Sequence, residues 1–447
     1  MVLASTLLIT SILLVPPHNP AQTPRQGSGQ ARDTDCSSWQ ECKRLALAAA
    51  DRQEYELFHD LAWRAVQKGP KSDSDLLTML ARAQSLSGRP HDALVMLQRL
   101  AAMGIVTDAA TNDEFRRVRA LPGWGGLERA TADAAATTKA GGKAETSAEP
   151  ETKTRRPDVE KLSKEGTVAG DAAEAIRFVT PAFTPAGLAY DDVSDRFIVG
   201  DRAAHKLTVV DEASQRVANL AGAQSAGFGE IAALEIDPHE GDLWVVSGRN
   251  DEPGGATLHK LQLISARVLY TLSLPESFGA ARFGDVAVAP RSTVIVLDSL
   301  GNRLFSVAPK SHDLKLAAGL ETKRATSAAP ESESIVYVAH EKGIVQVDLT
   351  SRRSRTVKAG TKIDLSGLER IRWHHGSLVG TQKAADGSYR IVRIRLAADG
   401  RTATSLEVLD GGVPMPDPTA AALCGDVFYY VAKTTASETT VRRVTVK

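Results

Sequence analysis

Two periodicities divide this 447-residue sequence and set its fold class. Between residues 38 and 120, apolar side chains recur at three- and four-residue steps, the mark of amphipathic helices. After residue 174, six segments each build to a strong strand: RFIVGD, DLWVVS, TVIVLD, SIVYVA, GSLVGT and VFYYVA. These end at residues 201, 247, 298, 339, 381 and 432, and the steps of 46, 51, 41, 42 and 51 residues suit a four-stranded blade. The expected class is therefore multi-domain, with N-terminal all-α helical hairpins and a C-terminal all-β six-bladed propeller. A five- or seven-bladed ring and a β-sandwich are the architectural alternatives.

At the start, Val2 to Val15 carries no charge and stops at Pro16-Pro17. About 14 residues of helix reach roughly 21 Å, short of a ~30 Å hydrocarbon core but suited to the apolar region of a secretory signal. No Lys or Arg precedes the run, and no clean small-x-small cleavage site follows it. Residues 1–22 read as a signal peptide or, alternatively, a retained N-terminal anchor, and 23–35 as a polar, disordered leader. The expected location is outside the cytoplasm, periplasmic or secreted. No later segment is long enough to span a bilayer. In an oxidising compartment Cys36 and Cys42 would form a disulfide that clips the start of the first helix; the alternative is two free thiols. Cys424, in a β-rich run, reads as a small buried hydrophobe.

Residues 36–130 form the helical domain. Tyr55, Phe58, Ala62 and Ala65 make one stripe, and Leu76, Leu80 and Ala83 another. Gly69-Pro70 stops a helix, Ser72, Asp73 or Ser74 caps the next, and Gly88-Arg89-Pro90 forms a turn. Hairpins are expected near 38–68 and 73–103, then a short helix around 111–120. The stretch LARAQSLSGRPHDALVMLQRLAAMG resembles a tetratricopeptide repeat, with Ala81, Gly88, Ala93 and Leu94 at the positions where paired helices touch. That resemblance implies a protein or peptide partner. Phe115 to Leu127 would cap the stack. Residues 131–172, rich in Ala, Thr, Lys and Glu, bury too little to offset chain entropy and read as a disordered linker.

The propeller occupies 173–447. Its last unit ends after TVRRVTVK with three strands, and AIRFVT (175–180) can supply the fourth, which closes the ring and removes open edges. Lys plus Arg equals Asp plus Glu at 54 each, so no global field favours nucleic acid. Neither a P-loop nor a G-x-S-x-G elbow is present, and three cysteines without an adjacent His give no zinc signature. His374-His375 follows Trp373 at a strand end, where neighbouring side chains point to opposite faces; the pair reads as turn residues that cannot easily share a metal.

PAGLAYDDVSDRFIVGD, RFGDVAVAPRSTVIVLDSLGNRLFSV and PTAAALCGDVFYYVAK resemble the senescence-marker/gluconolactonase (regucalcin-like) family and, more distantly, NHL-repeat propellers. The resemblance implies one divalent cation such as calcium at the mouth of the tunnel, held by a first-blade Glu, a middle-blade Asn and a later Asp, and a metal-dependent lactonase. This chain departs from that pattern. Ala186 stands where the Glu would be and Gly284 where the Asn would be, and only Asp298 matches a ligand. Glu230 and Asp237 are the substitutes that a shifted alignment would offer.

Asp201, Arg249, Asp298, His340 and Lys433 all follow strong strands and are the ligand-binding candidates at the mouth, with a small anionic or sugar-like molecule as the expected ligand. The more common reading of Asp201 and Asp298 is as turn-formers whose carboxylates accept backbone N–H bonds. The function expected is an extracytoplasmic binding or scaffold protein without a cofactor; the alternative is a lactonase-type hydrolase.

Overall fold

The computed structural model describes residues 35–140, 172–180, 182–248 and 255–447. The signal or anchor at 1–22, the leader up to 34, linker residues 141–171 and Arg249 lie outside the described residues. No helix among the described residues is long and apolar enough to cross a membrane.

Four helices form two antiparallel hairpins: α1 (Trp39–Asp51) with α2 (Tyr55–Lys68), and α3 (Ser74–Leu86) with α4 (Pro90–Ala102). The capping chemistry is local. Ser38 Oγ accepts from the Glu41 amide, and Asp73 Oδ1 accepts from the amides of Asp75 and Leu76, both at 3.0 Å. Pro90 opens α4, where a missing amide hydrogen leaves no bond unmade. A disulfide joins Cys36 to Cys42 and ties the entering chain to the first turns of α1. After α5 (Arg116–Arg119), α6 runs Trp124–Ala140, so the helical region extends past residue 130 into the segment expected to be disordered. The reason is twofold. Trp124 and Leu127 are buried at its start against α4, and the following alanines are strong helix formers.

Six antiparallel sheets make the propeller, each with four strands from centre to rim. The inner strands are Pro185–Asp191, Glu230–Ile236, Phe283–Val288, Ala325–Pro330, Leu368–His374 and Ala421–Cys424, in blades 1 to 6. Each touches the next around the tunnel, and the last touches the first. Closure follows the strand count: Ala173–Val179 pairs antiparallel with the final strand Glu438–Thr445 and completes blade 6. Blade 5 adds a short fifth strand, Lys358–Ala359, parallel to its outer strand Thr402–Val413.

The helical domain is docked on blades 1 and 2, and one apolar cluster runs through both. At its centre the Trp63 indole of α2 lies on Gly241 in the first turn of blade 2. A Cβ on Gly241 would come within 2.5 Å of the indole, and its φ of +65° is one that side chains disfavour. Gln67, with its amide oriented to suit both neighbours, donates to Pro238 C=O (2.8 Å) and accepts from the indole Nε1 (3.2 Å). Polar bonds surround this contact. Lys71 reaches Asp192 at 2.7 Å, Arg99 reaches Val193 C=O and Asp195, and Asp92 accepts from the Ser265 amide at 3.1 Å. Gly241→Ala should cost about 1–3 kcal/mol. Urea unfolding would measure that loss, and faster amide exchange in α2 would trace it to the docking contact.

At the start of the same turn, Asp237 is fully buried. Its Oδ1 accepts from the amides of His239 and Glu240 and from Ser292 Oγ, while its Oδ2 has no partner. Burial first, and the Glu240 carboxylate second, push its carboxyl up to about 7, against an ordinary 3.8. The folded chain holds this proton more tightly than the unfolded chain does. The stabilisation is therefore complete below the ordinary value and is lost as pH rises through the folded one. The stability advantage of wild type over Asp237→Asn should shrink with rising pH across that window in unfolding titrations.

Candidate functional site

The tunnel has two mouths. Asp201, Asp298 and His340 pair with Pro185, Phe283 and Ala325 at the beginnings of inner strands, and all belong to one mouth. Asp201 is buried, and its Oδ1 accepts from the amides of Thr184 and Ala204. Asp298 is buried too. Its Oδ1 accepts from the amides of Arg282, Leu300 and Gly301 at 2.9–3.1 Å, and its Oδ2 takes Arg303 at 2.8 Å. Both are turn-formers, Asp201 through Oδ1 and Asp298 through both oxygens. His340 is half-buried, its Nδ1 accepts from the Lys342 amide, and burial lowers its pKa. Lys433 is exposed.

Among the described residues, the donors at this mouth do not fit the cation implied by the family resemblance. Ala186 and Gly284 offer no side-chain oxygen, and Asp298 is already saturated by three amides and a guanidinium. The substitutes do not assemble either. Glu230 is exposed at this end, whereas Asp237 sits in a turn at the other end of blade 2.

Within the tunnel, Arg370 and Arg372 project from blade 5. Arg370 donates to Asp285 of blade 3 and, across the ring, to Leu234 C=O (3.0 Å) and Glu235 (3.3 Å) of blade 2. Arg372 binds Glu235 at 2.8 and 3.1 Å, both oxygens of Asp285 at 3.1 Å, and the carbonyls of Val286 (2.8 Å) and Ala328 (3.1 Å). Ser327 of blade 4 donates to Asp285 at 2.6 Å. Burial by itself would raise the Asp285 carboxyl, but the two guanidiniums outweigh it and hold it below its usual value. Two cations and two anions thus neutralise one another and tie blades 2 to 5 together across the tunnel.

At the opposite mouth, where inner strands end, a cavity of about 320 Å³ lies between α2 and the propeller. Trp63 and Gln67 form its roof, Leu188, Ile236 and Ala422 line its apolar walls, and Glu235 reaches it from the tunnel. Among the described residues, its lining includes the carboxylates of Asp191, Asp192 and Glu235 and no Lys, Arg or His. Asp191 is taken up by its own turn, through the amides of Val193 and Ser194 and through Arg196. Asp192 pairs with Lys71, yet burial dominates and raises its carboxyl. Cys424 stands in the wall half-buried, and burial pushes its thiol up to about 12, which makes it inert as a nucleophile.

Beside Cys424 and Gly425, His374 Nε2 lies 2.9 Å and His375 Nε2 3.9 Å from Asp426 Oδ1. Strand alternation separates neighbouring side chains, but His375 has left the strand. Its φ of +40° turns the ring back beside that of His374, with centroids 4.6 Å apart, so the two imidazoles converge. The hydrogen bond from His374 holds the Asp426 carboxyl below its usual value.

No protein-family profile matches the chain, and no curated protein sequence matches it significantly. Among solved structures it is similar to an aldose sugar dehydrogenase from Streptomyces coelicolor, with 13% identity and a TM-score of 0.43 over 62% of this chain and 99% of that one. A gluconolactonase from Xanthomonas campestris shows 13% identity and a TM-score of 0.41 over 62% and 90% of the two chains. Virginiamycin B lyase from Staphylococcus aureus shows 10% and 0.40 over 61% and 100%. These neighbours include gluconolactonase-like and related propellers. Likeness at this level bears on no activity of the present chain, whose six-bladed ring stands on its own strand pairing.

The tunnel quartet was not among the sequence candidates. Its signal lies in LERIRWH, which carries two arginines two apart in an inner strand, and in single acids within AALEI and FGDVAV. A buried strand tolerates such charges only when they are paired. Asp285→Ala should cost about 3–5 kcal/mol in denaturant unfolding, because it leaves buried guanidiniums without their partner.

Proposed function

We propose that the chain is an extracytoplasmic binding protein that takes a small ligand in the cleft between α2 and the tunnel mouth. The observation that carries this reading is the cavity itself, about 320 Å³ with apolar walls, a Trp63–Gln67 roof and, among the described residues, a lining without Lys, Arg or His. That lining disfavours the anionic ligand expected from sequence and favours a neutral or amine-bearing molecule with an apolar body. The helical domain is then part of the site. Because α2, the turn after it and α4 carry the docking bonds, a protein or peptide partner would use the side bearing α1 and α3. The apolar run Val2–Val15 and the Cys36–Cys42 bridge support a location in an oxidising compartment. The reading assigns no calcium-type cofactor to the tunnel, and among the described residues the lactonase alternative finds no fitting donor set at the other mouth.

Cys424, in the cleft wall, is the position for a blocking substitution. Compounds that raise Tm in a screen of amphipathic neutral and amine-bearing molecules should lose their effect on Cys424→Phe, which fills the cleft. Hits that shift both proteins equally would refute the site.

A further inference from the structure

We propose that His374, His375 and Asp426 bind a first-row divalent transition metal, with zinc as the reference ion, on the rim of the same propeller mouth. Two tight turns from adjacent blades build the site. In blade 5, His374 pairs with Ser377, and the two residues between them, His375 and Gly376, both have positive φ (+40° and +75°). This is the hairpin geometry that reverses a twisted strand most directly, and it swings the second imidazole back beside the first. In blade 6, Cys424 pairs with Val427, and Gly425 (φ +53°) precedes Asp426 at the tip of the corresponding turn. The Val446 amide bonds the Asp426 carbonyl at 2.8 Å, which anchors that turn to the last strand region of the chain.

The three residues each offer a donor atom, and these atoms lie within 4.8 Å of one another. A zinc ion about 2.0–2.1 Å from nitrogen and oxygen ligands sets tetrahedral donors roughly 3.3 Å apart, so small rotations of the exposed His375 and Asp426 side chains suffice. His374 provides the fixed point. It is only 6% exposed, and its Nδ1 has no hydrogen-bond partner, so the bond to Asp426 is the polar contact that holds its ring. Two imidazoles and one carboxylate suit zinc, nickel, cobalt or copper and are poorly matched to calcium or magnesium, which prefer an all-oxygen shell. Three protein ligands leave a position for water or for a ligand donor. Arg393 of the same blade is held on Ser377 Oγ at 3.1 Å.

The test is calorimetric titration of the full chain with zinc chloride, backed by the visible bands of the cobalt-loaded protein. Wild type should bind one equivalent in the micromolar range, and calcium should give no heat. His375→Asn, chosen because asparagine tolerates a positive φ, and Asp426→Asn should each weaken binding at least tenfold with an unchanged circular dichroism spectrum. His340→Ala, at the opposite mouth, should bind as wild type does. Absence of zinc binding to wild type, or binding that survives both trio variants, would overturn the site.

Discussion

Charge burial at the centre of the ring is the constraint on which the rest of the propeller depends. A six-bladed ring of small inner-strand residues leaves a tunnel, and this chain fills it with two guanidiniums and two carboxylates rather than with apolar side chains. Each arginine reaches beyond its neighbouring blade, and Glu235 lies on the blade directly opposite. The consequence is geometric. Removing any one of the four strands a buried charge, so their inner strands must keep a common spacing. It is also chemical, since carboxylates engaged by arginine are not available to a hard cation.

The second organising contact lies outside the ring. Trp63 on Gly241 joins the helical domain to blade 2, and the polar bonds from the turn after α2 and from α4 to blades 1 and 2 fix its orientation. Because α2 overhangs the tunnel mouth, the same docking that buries the indole also encloses the cleft. The quartet closes the cleft from below through Glu235, so the electrostatics of the tunnel and the shape of the site are one feature. Asp237, at the start of the docking turn, adds a proton-dependent element to that junction.

Much of the architecture was legible in the chain. Apolar steps of three and four located both hairpins, and the recurring β-rich units located all six blades, including the borrowed strand that closes the ring. These features are local or periodic, and periodicity survives in one dimension. The end of the helical region was misplaced because an alanine-rich stretch is compositionally ambiguous, and burial of Trp124 and Leu127 tips it toward helix. Asp201 and Asp298 showed why strand-end acids are weak signals: a turn and a binding site ask for the same residue, and here the turn takes every oxygen that the bonds account for.

What the sequence determined on its own was the class of each element and the number of blades, because hydrophobic period and turn chemistry are written between near neighbours. Tertiary structure alone decided which mouth carries the cleft, what fills the tunnel and which histidines converge. Those outcomes depend on residues brought together from distant blades, such as Glu235 with Arg372, Trp63 with Gly241 and His375 with Asp426. Such pairings arise only when the ring closes and the helices settle on one face of it, and no spacing along the chain encodes them.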